Sequence, residues 1–445
     1  MASDLLSIAR SATRAARIQL DVTAQNIANA GTEGYVRRSV STEEVMTPGY
    51  VANNRDVSLS GVRVTGVQRN ADSFRQAEVR RTSADTARVD TEVTGLEDVQ
   101  AALEDPGIYS AITGFETALT QLAQSPTDTP LRASVIAAAQ TMTNSFNIAS
   151  NQLDAVATGQ QTGAADGVTQ VNTLSAELAK VNGRLSRMAD ATSDRTGLMD
   201  QRDMLLQKLS GYADIATSFG SDGTVGVTLG GTSGAPLVTG NTAQTLAMTT
   251  ASDGTISFTV AAGAVTLSAG SLAGQQQVLL RVADVHSQLD DLAQTVIDTV
   301  NTAQGNGAAL NGSAGAALLS GTGAADMALT TTDGSAIATA AAGATANSRD
   351  TTNLTALRNA LTSADPAGTM DNLLYQTSAT VQARTTTRDA LKTISDAAKT
   401  ALSAQAGVDL DTEAINLTRF QQAFQASGRV MQVASNLFDT ILAIK

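Results

Sequence analysis

The chain has 445 residues, a formal net charge of −13, only 3% aromatic residues, no cysteine and one histidine, His286. Its length predicts about three domains and a core that needs no disulfides. The lack of cysteine excludes a disulfide framework, a thiolate metal site and a cysteine nucleophile. One histidine makes a multi-histidine metal site or a His-paired triad hard to build. The acidic balance argues against nucleic-acid binding, which needs a basic surface.

The sequence also carries information about membranes and secretion. No run of about 18 apolar residues occurs, so we expect no membrane-spanning segment. The N-terminal sequence differs from a secretory signal peptide, because Asp4 comes early and Arg10, Arg14 and Arg17 interrupt any apolar stretch. We therefore expect a chain that does not enter a membrane and has no cleaved signal peptide.

The N-terminal region predicts one helix followed by an extended segment. Over residues 1–30, apolar side chains, many of them alanine, recur at helical spacings. We expect this helix to stop near Asn29 to Gly31, because glycine accepts the left-handed conformation that often ends a helix. Apolar residues alternate between Val57 and Val67, which is typical of short strands.

Residues 73–213 predict several helices separated by two breaks. Asp105-Pro106-Gly107 forms one break, and the stretch from Ser125 to Pro130 forms the other. Beyond them, apolar residues step by three or four and therefore share one face of a long helix. They are Val168, Val171, Leu174, Leu178, Val181, Leu185 and Met188. A further helix is predicted near 197–211.

The composition shifts near residue 214 towards threonine, glycine, valine and serine. Asp222-Gly223 and Asp253-Gly254 lie between runs in which apolar residues alternate, at 225–229 and 256–260. Asp-Gly readily takes positive φ at both central turn positions, so each pair predicts a β-hairpin. We predict a small, mainly antiparallel β domain over 215–272.

Helical patterns return after this segment. Residues 275–303, 351–363 and 371–404 predict three helices, whereas 304–347 have little periodicity and predict loops with short elements. Gly407 then breaks the pattern. A final helix is predicted from Asp409 to the end of the sequence, with Asp409 as its cap.

This last helix carries two apolar stripes with steps of three and four, which is heptad spacing. The first contains Leu410, Ala414, Leu417, Gln421, Phe424, Gly428, Met431, Ser435, Phe438 and Leu442. The second contains Phe420, Ala423, Ser427, Val430, Ala434, Leu437 and Ile441. One partner helix cannot cover both stripes, so we expect part of this face to contact other subunits.

Together these patterns predict a mainly α protein with an inserted β domain. We expect an elongated rod in which the terminal helices pair as a coiled coil. A helical bundle would form the centre, and the antiparallel β domain would lie at the outer end. The predicted domains are 1–50 plus 405–445 for the coiled coil, 51–214 plus 273–404 for the bundle, and 215–272 for the β domain.

Both ends of the chain, and part of its middle, resemble one family. Asn26-Ile27-Ala28-Asn29 followed by Thr32, Gly34 and Tyr35 resembles the N-terminal signature of bacterial flagellar rod, hook and hook-associated axial proteins. The C-terminus resembles the same family at Gly407-Val408-Asp409-Leu410-Asp411, Asn416-Leu417, Gln421-Gln422-Ala423 and Leu437-Phe438-Asp439. The helical stretch that ends with residues 198–206 and leads into the 222–224 turn resembles the hook–filament junction members of that family.

The resemblance implies a structural protein of the bacterial flagellum, not an enzyme, with no cofactor and no metal. It implies an extracellular homo-oligomeric ring between hook and filament, with the hook protein and a second junction protein as neighbours. The subunit would be exported unfolded by the flagellar type III apparatus. An export chaperone would mask the apolar C-terminal helix before assembly, by a helix-in-groove contact. Neither nucleic acid nor membrane is an expected partner.

Residues of the two termini are the candidates for assembly contacts. The N-terminal candidates are Asn26, Ile27, Asn29, Gly34 and Tyr35. The C-terminal candidates are Leu417, Phe420, Gln421, Phe424, Val430, Met431, Leu437, Phe438 and Ile441. A second role stays open for each group. The apolar side chains could form core within one subunit, and the asparagines could satisfy the last carbonyls of their helix.

Other functions stay open at this point. A hook or rod axial protein would have the same ends, and residues 215–272 could form an adhesin or surface-binding module. Asp200 and Asp203 beside Arg202 could form the carboxylate pair of an exported hydrolase. We favour a solvated or bundle-edge charge network on a helix as the interpretation of those three residues. His286 shares its stripe with apolar residues and fits a packed or bundle-edge histidine better than a metal ligand.

Overall fold

A computed structural model describes residues 2–46, 59–188 and 193–443, which are mostly helical with several small antiparallel sheets. The helices are α1 (Ala2–Ala28), α2 (Ser73–Glu104), α3 (Ile108–Leu122), α4 (Thr129–Leu185), α5 (Ser193–Tyr212), α6 (Ser271–Gly305), α7 (Thr352–Ala364), α8 (Pro366–Ala406) and α9 (Leu410–Ala443). Over these three ranges, none of the helices combines the length and hydropathy that a bilayer crossing requires.

The strands fall into several small sheets. They are β1 (Arg38–Met46), β2 (Leu59–Arg69), β3 (Ile215–Phe219), β4 (Val225–Leu229), β5 (Ala235–Thr239), β6 (Thr242–Ala243), β7 (Leu246–Thr250), β8 (Ile256–Val260), β9 (Gly263–Val265), β10 (Gly307–Ala308), β11 (Leu319–Ser320), β12 (Ala328–Leu329) and β13 (Ala340–Ala341). β1 and β2 pair antiparallel, β3 to β6 form a four-stranded sheet in sequence order, and β7 to β9 form a three-stranded sheet. A short 3₁₀ helix spans Gly334–Ala336.

The helix ends follow the local signals in the sequence, which confirms the predicted helices. α2 stops before Asp105-Pro106-Gly107, and Gly107 takes a φ of 65° that glycine tolerates. The predicted break from Ser125 to Pro130 separates α3 from α4. Asp409 accepts a hydrogen bond from the backbone N–H of Asp411 at 3.2 Å and therefore caps α9. α4 is longer than its periodic stretch indicated.

The two predicted Asp-Gly turns are confirmed. β3 and β4 pair antiparallel on either side of the first turn, where Gly223 has a φ of 82°. In the second turn, between β7 and β8, Gly254 has a φ of 83° and Asp253 accepts from the N–H of Thr255. The alternation that ends at Val67 forms β2, whereas Val57 lies outside the described residues.

The chain divides into two compact units. The first comprises residues 1–84, 170–246 and 392–445, and the second comprises residues 85–169 and 247–391. The predicted rod, the coiled-coil geometry and the three predicted domain boundaries stay predictions.

The second unit has a hydrophobic core built from α2, α3, α4, α6, α7 and α8, with Phe115 and Phe146 fully buried. Arg132 on α4 anchors the loop-rich segment to this core. Its Nε donates to the carbonyl of Pro126 at 2.6 Å, and its Nη1 donates to the carbonyl of Ile337 at 2.8 Å. The segment 304–347 is therefore an ordered set of loops and short strands, in line with its composition.

In the first unit, the two terminal helices pack against each other. The last turn of α1 meets the first turn of α9, because Asn26 contacts Glu413, so the two helices run antiparallel. The β1–β2 hairpin packs against α1. This arrangement brings the two ends of the sequence into one structural element.

Candidate functional site

Few side chains of α9 are buried, and the apolar residues that α1 buries are mostly small. α1 buries Ala9, Ala15, Ala16 and Val22. Within Leu410 to Thr440, where the side chains of α9 are described, the buried residues are Glu413 and Ala434. Alanine side chains remove little apolar area from water. Packing against α1 within one chain therefore leaves most of α9 uncovered.

The uncovered part of α9 carries large apolar side chains. Ile415 is 69% exposed, Val433 is 63% exposed, and Val430 and Leu437 are also exposed. With 3.6 residues per turn, these four lie on one strip, about a quarter-turn around the helix from the side that Glu413 and Ala434 occupy. We call these four residues the outer strip. Nothing in the described part of the chain covers them.

The C-terminal candidates divide according to their exposure. Phe424 and Phe438 are 39% and 52% exposed, and Gln421 is exposed as well. Leu417, Phe420 and Met431 are half-buried. Val430 and Leu437 belong to the outer strip, and the side chain of Ile441 lies outside the described part of the chain. The sequence reasoning missed Ile415 and Val433, because Arg419 and Gln422 interrupt the stripe that contains them.

A polar cluster lies where the terminal helices meet the β1–β2 hairpin, and Asn26 is at its centre. The Asn26 Nδ2 donates to the carbonyl of Arg38 at 2.9 Å and to Glu413 Oε2 at 3.2 Å. Its Oδ1 accepts from the Tyr35 hydroxyl at 2.9 Å and from the N–H of Arg38 at 3.0 Å. Asn26 is 1% exposed, so its hydrogen-bonding capacity is used within the chain.

Glu413 joins α9 to this cluster. Its Oε1 accepts from Arg37 Nε at 2.7 Å, and the side chain is 1% exposed. The backbone N–H of Arg37 donates to the carbonyl of Ala406, the last residue of α8, at 2.9 Å. The segment after α1 therefore holds the end of α8 and the beginning of α9 together.

The cluster continues into α5 through a buried network of ion pairs. Arg38 Nη2 lies 3.0 Å from Asp200 Oδ2, and Arg69 contacts Asp200 at 2.8 Å and Asp203 at 2.7 Å. Arg202 pairs with Asp203 and also donates to the carbonyl of Gly223 at 2.6 Å. The charge network that the sequence analysis favoured is present around Asp200, but the hairpin arginines cover its carboxylates, so it is largely buried and not solvated.

The two aspartates of the network have opposite pKa shifts. Burial raises the pKa of Asp200, against the opposing effect of Arg69 and Arg38. Burial also acts to raise the pKa of Asp203, but the charges of Arg202 and Arg69 outweigh it and lower the pKa. Asp203 is thus stabilised as a carboxylate, and both of its oxygens are occupied by arginines. This arrangement suits a structural ion pair better than a general acid–base group.

The remaining N-terminal candidates shape the turn after α1. Asn29 donates from Nδ2 to the carbonyl of Gln25 at 2.9 Å, which is the helix-ending role that the sequence analysis left open. Gly34 has a φ of 77°, and a Cβ there would lie 3.4 Å from Met204 Cβ. Ile27 and Tyr35 are half-buried, and burial raises the pKa of the Tyr35 hydroxyl.

His286 lies in the second unit and contacts three polar side chains. Its Nδ1 is 3.2 Å from Asp290 Oδ2, and its Nε2 is 3.2 Å from Ser150 Oγ and 3.5 Å from Asp154 Oδ1. A serine, a histidine and an aspartate thus follow one another as in a hydrolase triad. Ser150 is fully buried, however, so a substrate carbonyl cannot reach its Oγ in this conformation. Over the described residues, no group of three ligating side chains could hold a metal ion.

Comparisons with known families agree with the positions of these elements. A model of the flagellar hook-associated protein FlgK helical domain matches residues 93–319. A model of the flagella basal body rod protein matches residues 6–35, which contain most of α1. A model of the flagellar basal body rod FlgEFG protein C-terminal region matches residues 401–444, which contain α9.

Individual relatives that match the chain are also named as flagellar hook-associated proteins. Flagellar hook-associated protein 1 of Bacillus subtilis strain 168 is 29% identical over 225 residues, which is 49% of this chain and 44% of that protein. The protein of the same name from Escherichia coli strain K12 is 26% identical over 332 residues, covering 70% of this chain and 59% of that protein. The chain spans about half the length of the curated relatives it matches.

A solved structure is also similar. The flagellar hook junction protein FlgK from Burkholderia pseudomallei matches with a TM-score of 0.49 and 26% identity, covering 55% of this chain and 46% of that one. Because the helical-domain model alone covers half of the sequence, the chain belongs to the flagellar hook-associated protein FlgK family, whose members are structural flagellar proteins.

Proposed function

We propose that this chain is a structural component of the junction between hook and filament, and that copies of it assemble into a ring through their terminal helices. The observation that carries the proposal is the outer strip of α9, which α1 leaves uncovered in a single chain. Family membership supports a flagellar role, and the exposed strip supports assembly. No catalytic step is part of the proposed function.

The outer strip has the properties of a surface that becomes buried. Clusters of exposed apolar side chains mark interaction sites on soluble proteins. Val430, Val433 and Leu437 form one such cluster, and Ile415 lies about four turns before it on the same side of the helix. Covering an exposed valine, leucine or isoleucine side chain fully contributes about 1.5–3 kcal/mol. Four such side chains supply a driving force for assembly that the packing within one chain leaves unused. The partner we propose for the strip is a second copy of this chain.

A ring requires a particular kind of contact. When one face of a subunit meets a different face of the next, the interface is head-to-tail and closes into a ring if the rotation allows it. The outer strip and the side of α9 that faces α1 are different surfaces of the same helix. We propose that the ring contacts the hook protein on one side and a second junction protein on the other.

Export of the subunit is part of the same proposal. We propose that the chain leaves the cell unfolded through the flagellar type III apparatus. A chain that contains no cysteine forms no disulfides that would oppose unfolding. Before assembly, a chaperone groove would cover the apolar stripes of α9, as amphipathic helices are recognised elsewhere.

Deletion of the gene distinguishes this function from that of a hook or rod protein. The proposal predicts cells with complete hooks, no filaments and filament protein released into the medium. Re-expression of the full chain should restore filaments. Cells without hooks would point to a rod or hook protein, and cells with normal filaments would overturn the proposal.

A further inference from the structure

The apolar residues that α1 buries are mostly small, and small side chains specify the axial position of a packed helix less strongly than large ones do. Small side chains such as Ala9, Ala15 and Ala16 present similar surfaces at successive turns. A slip by one turn, about 5.4 Å along the axis, would bring Ala12 to the place of Ala9 or, in the other direction, of Ala16. A directional polar contact fixes such a position more sharply than these small apolar side chains do.

We infer that the buried hydrogen bond between Asn26 and Glu413 fixes the axial register of the two terminal helices. Asn26 projects from the last turn of α1 and Glu413 from the first turn of α9, and they meet at 3.2 Å. A slip in either direction would separate them and leave buried polar groups unsatisfied. A buried polar residue at a helix interface sets register in coiled coils by the same physics.

The polar network beyond this pair also fixes the positions of the neighbouring elements of the first unit. Arg38 donates its backbone N–H to Asn26, while its side chain pairs with Asp200 on α5. Arg69 of β2 contacts both Asp200 and Asp203. One continuous set of directional contacts therefore fixes α9 against α1, and both against the hairpin and α5.

Stability alone does not explain why these charges are buried. Apolar residues of similar volume can replace a buried ion pair with little loss of stability, and sometimes with a gain. Glu413 is well suited to a test, because Arg37 is partly exposed and can turn to solvent when its partner is removed. We therefore expect Glu413→Met to keep the fold and to lose the single register.

The experiment uses the isolated full-length chain, so its result does not depend on where the protein assembles. The chain has no cysteine, and Ala24→Cys with Gln425→Cys places spin labels on exposed positions of α1 and α9. Pulsed electron paramagnetic resonance then measures the distance between the labels. The parent should give one distance. Glu413→Met should add a second population displaced by up to about 5 Å, with a melting temperature within about 4 °C of the parent.

Two further variants make the outcome decisive. Asp411→Met changes an exposed carboxylate in the same turn and should keep the single distance. Glu413→Gln keeps the size of the side chain but offers one acceptor oxygen where two are used, so it should give a smaller second population. If Glu413→Met unfolds, the Gln variant decides the question. One unchanged distance in the Glu413 variants, or no single distance in the parent, would overturn the inference.

Discussion

Asn26 and Glu413 are hydrogen-bonded at 3.2 Å, although 387 positions of sequence separate them. Both side chains are buried, and every polar atom of the Asn26 amide is engaged within the chain. The contact joins the two parts of the sequence that carry the family signatures. A signature residue can thus serve assembly indirectly, by fixing the helix that presents the apolar strip.

Truncation of Asn26 should loosen the terminal helices. Asn26→Ala leaves the Tyr35 hydroxyl, the Arg38 N–H and one oxygen of Glu413 without their partner, and each unsatisfied buried group costs about 1–3 kcal/mol. We expect hydrogen exchange in the first turns of α9 to show a loss of protection of at least about 2 kcal/mol. Asn29→Ala is the control, because Asn29 is half-exposed and makes a local bond to Gln25. Equal effects of the two substitutions would contradict this account.

Asp200 and Asp203 should respond differently to neutralisation. The lowered pKa of Asp203 means that its charge stabilises the fold above the ordinary carboxyl pKa of about 3.9, and that this is lost as pH falls through the lowered value. The raised pKa of Asp200 means that its charge opposes folding at neutral pH and that protonation relieves this cost on acidification.

Asp203→Asn should therefore cost about 3 kcal/mol at pH 7, because it leaves two arginines without their full partner. Asp200→Asn should cost less than about 1 kcal/mol, since the asparagine oxygen can still accept from Arg38. Urea unfolding at pH 7 and at pH 4 measures both. The difference in unfolding free energy between the two variants should be smaller at pH 4 than at pH 7. A larger loss of stability for Asp200→Asn than for Asp203→Asn at pH 7 would contradict the opposite pKa shifts of the two aspartates.

Substitution of Gly428 should change the stability of α9 and the assembly of the chain in opposite directions. It lies inside the helix, where glycine costs about 0.5–1 kcal/mol against alanine, and a Cβ there meets nothing within 4 Å in the single chain. We expect Gly428→Ala to raise helix stability and to weaken ring formation, because a neighbouring copy would approach the helix closely at this point. Gly159→Ala in α4, which also meets nothing within 4 Å, should raise stability without affecting assembly. Normal filaments in the Gly428 variant would argue against close packing there.

The exposed phenylalanines of α9 should matter after export and not before it. Phe424→Ala combined with Phe438→Ala should leave secretion of the chain unchanged and reduce the number of filaments. Each truncation removes about 3–5 kcal/mol where the ring buries the side chain, and much less in the isolated chain. Gln425→Ala with Gln432→Ala changes two exposed polar residues of the same helix that lie away from the outer strip, and it serves as the control. Parental filament numbers in the phenylalanine variant would count against an interface at these positions.

Local signals predicted the helices and turns well, because their causes are local. Asp105-Pro106-Gly107, Asp222-Gly223 and Asp409 each act within a few residues, and the structure places a helix end, a hairpin and a cap at those points. Periodicity likewise indicated that α9 has more apolar surface than one partner can cover. The exposed outer strip shows where that surplus lies.

The polar network could not be read from the sequence in the same way. Asp200 and Asp203 have their partners on the β1–β2 hairpin, more than 130 positions away, and helical spacing contains no information about that hairpin. Glu413 resembled an ordinary acidic residue near a helix N-terminus, where acidic side chains are favourable anyway. Its burial depends on Asn26 and Arg37, and only the folded chain brings these residues together.

The most direct test of the account is the position of the chain in isolated flagella. Antibodies raised against the full chain, coupled to gold, should mark one narrow band between hook and filament in electron micrographs of purified flagella. The same antibodies should give no band on flagella from the deletion strain. Gold distributed along the filament, gold on the hook or rod, or no gold on flagella that contain the chain would contradict a junction role.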